Sequence, residues 1–175
     1  QADAITGTGS LTKNGPGVLT LSGPNTYSKP WTINDGAVRA ASPQALGATS
    51  AATTVNGGTT TGRVELTGGY VFDAEPLTIS GRQPAVTDPH LVNSSGVNTW
   101  TGEISMTTGG NQYGIASSAG KLTIQSDIVN NTGTADTRYL TLGGASDGEI
   151  SGVIRNGTAT GFVDVIKDGA GTWVL

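Results

Sequence analysis

His90 is the only histidine in the 175-residue chain, so any Ser-His-Asp machinery would have to pass through it. Asp88 stands two positions away, and an extended, proline-bounded segment could set both side chains on one side. No Gly-x-Ser-x-Gly elbow accompanies them. The expectation for His90 is therefore a solvated loop histidine. Glycan cleavage needs two carboxylates facing each other across a groove. The 13 acidic residues are scattered singly. Asp35, Asp147 and Asp168 each precede a glycine, as turn residues do. Asp73 and Glu75 form the closest pair, two apart and on one face if extended, which reads more readily as a surface edge than as a dyad.

Metal chemistry finds little to use. With no cysteine, disulfides, thiolate metal sites and cysteine nucleophiles are excluded. Gly143-Gly144-Ala145-Ser146-Asp147 is only a fragment of a calcium-binding glycine-rich nonapeptide, and no EF-hand spacing occurs. The Asn-x-Ser/Thr triplets at Asn93, Asn130 and Asn156 read as Asn- and Thr-rich loops. Trp31 and Trp173 fall on strand faces expected to be buried. Trp100, beside Asn98 and Thr99, could instead offer a sugar-stacking surface. No catalytic, cofactor-binding or metal-ligating residue is assigned, and no cofactor is expected.

A net charge of −4 with only 13% charged residues argues against nucleic acid, whose phosphates require a Lys/Arg surface. No apolar run reaches the length of a membrane-spanning helix. Residues 1–4 lack the basic-then-apolar pattern of a signal peptide, so an export signal is expected to lie outside this sequence.

The elements that position these residues are short strands. No stretch keeps an apolar face at helical spacing over three turns. Alternation is frequent instead: Trp31-Thr32-Ile33, Arg63-Val64-Glu65-Leu66, Leu77-Thr78-Ile79-Ser80, Lys121-Leu122-Thr123-Ile124 and Tyr139-Leu140-Thr141-Leu142. Period two with one apolar face marks a half-buried strand. Asn14-Gly15, Asp35-Gly36, Asn56-Gly57, Asp147-Gly148, Asn156-Gly157 and Asp168-Gly169 punctuate the strands. Such dipeptides suit hairpins or the corners of a solenoid. The strands are very short, and one motif recurs at long range, which favours stacked coils of roughly 20–25 residues. Residues 83–90 hold two prolines and His90 and read as a projecting loop between coils.

The recurring motif is Leu11-Thr12-Lys13-Asn14-Gly15-Pro16-Gly17-Val18-Leu19-Thr20-Leu21. It returns as Val165-Ile166-Lys167-Asp168-Gly169-Ala170-Gly171-Thr172-Trp173-Val174-Leu175. The offset from Lys13 to Lys167 is 154 residues. Residues 1–175 are thus expected to form one module, about one period of a longer array. Leu19, Leu21, Ile33, Val38, Val64, Leu66, Leu77, Ile79, Leu122, Ile124, Leu140, Leu142, Ile150 and Leu175 are expected to point into one interior. Gly15 and Gly169 are expected in equivalent corners with positive φ.

Residues 10–28, with their Lys-Asn-Gly turn and closing Asn25-Thr26-Tyr27-Ser28, resemble the autotransporter-associated β-strand repeat, also called the passenger-associated transport repeat. Trp31–Arg39 is similar to the next strand pair of that family, and Ser42–Gly47 to its continuation. The resemblance covers about 40 residues at the start and about 25 at the end, and is looser between. Lys29-Pro30 departs from it, since Pro30 removes a ladder donor and so belongs at a rebuilt corner or an edge. The resemblance implies an all-β, right-handed parallel β-helix (β-solenoid) in the passenger of a secreted or surface-displayed bacterial protein. It implies no enzyme but a structural module of a stalk, adhesin or fibre. Further copies of the module, an outer-membrane translocator, and glycans or a host or cell surface are the partners in view. The alternative is a glycan-binding or glycan-active β-helix of the tailspike or polysaccharide lyase kind. The closing copy of the motif halts at Leu175, and the expectation is continuation into further repeats or a polar fibre.

Overall fold

The structure is a computed structural model that describes residues 3–175. Nineteen strands and no helix are found among these residues. The first two coils each carry two strands: β1 (Leu11–Lys13) and β2 (Val18–Leu21), then β3 (Trp31–Ile33) and β4 (Ala37–Ala40). Each later coil carries three. These are β5 (Thr53–Val55), β6 (Arg63–Leu66) and β7 (Val71–Phe72); β8 (Leu77–Ser80), β9 (Leu91–Asn93) and β10 (Val97–Trp100); and β11 (Ile104–Thr107), β12 (Gln112–Ser117) and β13 (Lys121–Ile124). The last two coils hold β14 (Ile128–Asn130), β15 (Arg138–Gly143) and β16 (Gly148–Ile150), then β17 (Ile154–Asn156), β18 (Val163–Lys167) and β19 (Trp173–Val174).

Strands pair only with their counterparts one coil away, and every named pair is parallel. Three flat faces result. Face A stacks β1, β3, β5, β8, β11, β14 and β17; face B stacks β2, β4, β6, β9, β12, β15 and β18; face C stacks β7, β10, β13, β16 and β19. The expected all-β parallel solenoid is therefore what the chain forms. Parallel pairing excludes the hairpin reading of the Asn-Gly and Asp-Gly pairs. Above β7, face C continues without regular strands. Thr26 and Ser28 donate N–H bonds to the carbonyls of Ile5 and Gly7, and Ala48 donates to Tyr27. Pro30 sits just before β3, where its carbonyl accepts the Leu11 N–H and its missing donor costs nothing.

The core is a set of ladders. On face B, Leu19, Val38, Val64, Leu91, Ile115 and Leu142 stack in register. On face C, Phe72, Trp100, Ile124 and Ile150 do the same. Twelve of the expected core residues are buried. The other two differ. Leu19 is half-buried against the core, and Leu175 is 70% exposed. Both take inward positions, but each lies on a terminal coil with a neighbour on one side only. Replacing Leu122 with Ala in the middle of the stack is expected to cost about 2–5 kcal/mol in urea unfolding, because both flanking coils hold the cavity open. A loss under about 1 kcal/mol would refute the register.

Gly15 and Gly169 do have positive φ, at 75° and 73°. They are not in equivalent corners. Gly15 joins face A to face B, whereas Gly169 joins face B to face C. Successive face A steps span 20 residues from Leu11 to Trp31 but 27 from Leu77 to Ile104, so an offset of 154 need not return to the same face. Among the turn dipeptides, Gly36 also has positive φ, while Gly57, Gly148 and Gly157 do not. A Cβ on Gly36 would lie 2.3 Å from the Gly17 carbonyl oxygen and 2.6 Å from that of Gly15. Gly36→Ala is expected to cost about 1–3 kcal/mol through strained φ, with the clash in addition. An unchanged thermal midpoint would contradict this close approach of coils.

Candidate functional site

His90 is not a solvated loop residue. It begins the return from the 83–89 excursion into β9 and is fully buried. Its Nε2 donates to the Ser80 carbonyl at 2.9 Å, and Nδ1 accepts the Gly114 N–H at 3.2 Å. The ring stacks on Tyr113 at 6.0 Å. Burial, reinforced by the nearby Arg82 cation, pushes its pKa down to about 3. Both nitrogens are engaged by backbone, and Asp88 is exposed. The structure does not assemble a Ser-His-Asp set here.

Asp73 and Glu75 separate as well. They sit at the corner from face C to face A, where the chain turns and alternation no longer applies. Asp73 is exposed, whereas Glu75 is only 5% exposed. Glu75 Oε1 accepts the Thr53 hydroxyl at 2.8 Å, and Oε2 has no protein partner. Burial raises its pKa to about 8 against the Thr53 hydrogen bonds. Burial, then the Glu75 charge, also holds the Tyr27 phenol above its ordinary value. Among the described residues, no group of three His, Asp or Glu converges as a metal site would require.

Trp31 and Trp100 are both buried, and Trp100 stacks on Phe72 with ring centres 6.2 Å apart. Face C reads inward at Trp100, so the sugar-stacking expectation is overturned. Trp173 is half-buried; its Nε1 donates to the Gly143 carbonyl, and its ring lies where a Gly148 side chain would be. The sequon residue Asn130 is likewise buried, hydrogen-bonded to Asn156 and Thr132.

A concavity of about 370 Å³ lies on the outer side of face B, beneath the 83–89 excursion. Small residues form its floor: Gly114, Ala116, Thr141 and Gly143. Gly114 lets the loop come close, since an added Cβ would lie 3.0 Å from the Pro89 Cα. Asp88, Lys167 and Asp168 contribute charge of both signs. Arg82 anchors the base of the loop. It is fully buried, its guanidinium donates to the Thr60 and Gly62 carbonyls, and burial lowers its pKa to about 10. The groove is thus a small-residue trough of mixed charge, with the Asp88 and Asp168 carboxylates among its lining.

The most built feature of the surface is the repeat corner. Lys13 occupies an inward position on β1, in register with Ile33, and is nearly buried. Its Nζ donates to the carbonyls of Asn14 at 3.1 Å, Gly15 at 2.6 Å and, from the next coil, Asp35 at 3.0 Å. A buried ammonium has three donors, and here all three are met. Asparagines stack beside it: Asn34 donates to Asn14, and Asn56 donates to Asn34. Asn25 and Tyr27 bind the Ala45 and Leu46 carbonyls, and Gly47 leaves room for the Tyr27 ring. At the other end Lys167 repeats the seat with Asp168 and Gly169, at 2.8 and 2.7 Å. Composition and spacing did not expose Lys13 as an internal staple. The available signal was its place on the same strand face as Leu11.

The family model of the passenger-associated-transport-repeat matches residues 11–40, which span β1 to β4 and include the Lys13 staple and the first Asn ladder step. No curated protein and no solved structure matches the chain.

Proposed function

We propose that this chain, which carries a passenger-associated transport repeat, is a load-bearing module of a secreted or surface-displayed bacterial stalk, adhesin or fibre. The repeat and the solenoid together fit a structural module of a passenger domain. The observation behind the finer reading is the stack of parallel ladders on all three faces, stapled through backbone and Asn side chains at the repeat corner. Each coil is held by its neighbours, so length scales with the number of coils and further copies can extend the rod. Secretion through an outer-membrane translocator and display toward a host or cell surface belong to this reading.

The 370 Å³ groove on face B is the observation that favours a second reading, a glycan-binding or glycan-active module. Depolymerisation and binding assays on a polysaccharide panel separate the two. Robust turnover would overturn the structural reading. Sedimentation and electron microscopy of the purified chain supply the positive test, with concentration-dependent rods as the expected result.

A further inference from the structure

We infer that the outer side of face B holds a neutral, unbranched oligosaccharide, laid along β12 and β15 from the Asn111 corner past the 83–89 loop. This deepens the glycan-binding reading of the groove and rests on it. A site on the flank of the rod leaves every ladder in place and needs no catalysis. The groove beneath the loop does not stop at Gln112. A second, open recess of about 520 Å³ adjoins it, lined by Gln83, Asn111, Thr137 and Tyr139 among others. Gln112 lines the first depression and Tyr139 the second, and the two residues are register partners on β12 and β15. Joined, the depressions follow all six residues of β12, roughly 20 Å of strand.

The lining suits sugar better than peptide. An extended peptide takes its affinity from unpaired backbone at a sheet edge. β12 and β15 are interior strands, each laddered on both sides. Binding there must use side chains. Gln112, Thr141 and the half-buried Tyr139 alternate with inward residues and so face outward. Among the described residues the hydroxyls of Thr87, Thr137 and Thr141 bond no protein group. Amides and hydroxyls match the mixed donors and acceptors of a sugar, and a tyrosine ring stacks on its apolar face. Gly114 and Ala116 keep the floor low enough for a flat ring to lie against it.

Charge selects against acidic sugars. Three cations line the two depressions, Arg82, Lys167 and Arg138, and each is committed to the protein. Arg82 is buried on the Thr60 and Gly62 carbonyls, and Arg138 on the Gly110 carbonyl and the Thr134 hydroxyl. Lys167 donates to the carbonyls of Asp168 and Gly169. The carboxylates of Asp88 and Asp136 are exposed at the rims, Asp136 keeping a 3.5 Å contact with Arg138. A uronate or sialate would meet negative charge there, while an uncharged ring meets only hydrogen-bonding groups and Tyr139.

A glycan array of neutral, uronic-acid and sialic-acid oligomers, followed by titration calorimetry with the strongest binder, tests this on the whole chain. Binding confined to neutral oligomers is the expected result. Tyr139→Ala should weaken it at least about tenfold and Thr141→Val at least about threefold. Tyr139→Phe, and Thr123→Val on the outer side of face C, should stay within about twofold of the parent. Circular dichroism checks that each variant folds; if Tyr139→Ala does not, Thr141→Val decides, because it keeps the branched shape and removes only the hydroxyl. Full affinity in the Tyr139→Ala and Thr141→Val variants would overturn the site and leave glycan binding in place. Preference for acidic oligomers, weakened by the same substitutions, would overturn the neutral class alone. A chain that binds no oligomer would overturn the proposal together with the glycan-binding reading.

Discussion

The Glu75→Gln variant is expected to match the parent in stability at pH 4 and to exceed it by about 3 kcal/mol at pH 7 and about 5 kcal/mol above pH 8. The carboxyl is 5% exposed and its folded pKa is about 8, against a model value of 4.5. Between those values the unfolded chain has released the proton and the folded chain still holds it. Stability is therefore complete below about pH 4.5 and falls as pH rises through 8. Glutamine is a neutral isostere. It keeps an oxygen for the Thr53 hydroxyl and removes the titration. His90 works in the other direction. Its folded pKa of about 3 lies below the model value of 6.5, so the stability of its neutral form is present above 6.5 and lost as pH falls toward 3. From pH 4.5 to 6.5 the two slopes cancel. The parent should show a flat maximum there, an alkaline limb from Glu75 and an acid limb from His90. Asp35 and Asp127, held below the usual carboxylate range chiefly by hydrogen bonds from Thr61 and Arg155, add to the acid limb in sign. Urea unfolding from pH 4 to 9 checks this. Parallel profiles for parent and variant would show that Glu75 is not the titrating group.

The contrast between strands and corners explains what could be read beforehand. Alternation in segments such as Leu77–Ser80 and Lys121–Ile124 determines which side chains face inward, because each strand lies between two others and period two has one solution. The Lys-Asx-Gly turns were equally legible, since Gly15 and Gly169 need positive φ. Their placement on different faces was not. It depends on the summed length of the intervening loops, and the 83–89 excursion alone lengthens one coil to the 27-residue step.

Corner residues defeat the alternation rule for the same reason. Asp73 and Glu75 share a parity but not a surface, because the chain bends between β7 and β8. His90 follows a proline-rich loop that folds back over face B, so a segment with a loop composition delivers its last residue into the interior. The candidate site suffers most from this. Its groove is made of Gly114, Ala116 and Gly143 from neighbouring coils, roofed by a loop from another. No local spacing announces such a trough. Arg82 is a buried cation whose terminal nitrogens are held by carbonyls at the matching corner one coil away, and that too depends on the stack rather than on its neighbours in the chain.

Trp100→Ala is expected to lower stability by about 3–5 kcal/mol, with no change in glycan binding. The ring is wholly buried on face C between Phe72 and Ile124, one coil after face C acquires its first regular strand, β7. Its removal leaves a cavity that β7, only two residues long, is poorly placed to fill. The Phe72 ring also loses its stacking partner. Trp100→Phe separates area from polarity. The indole Nε1 is buried without a hydrogen-bond partner, and phenylalanine deletes that uncompensated donor along with part of the volume. The two changes oppose each other, since an unmet buried N–H costs about 1–3 kcal/mol and the smaller ring forfeits a comparable amount of packing. Trp100→Phe should thus stay within about 1.5 kcal/mol of the parent in chemical unfolding, while Trp100→Ala does not. Equal and small effects from both would mean that the ring faces solvent, and would restore the sugar-stacking role that its burial denies.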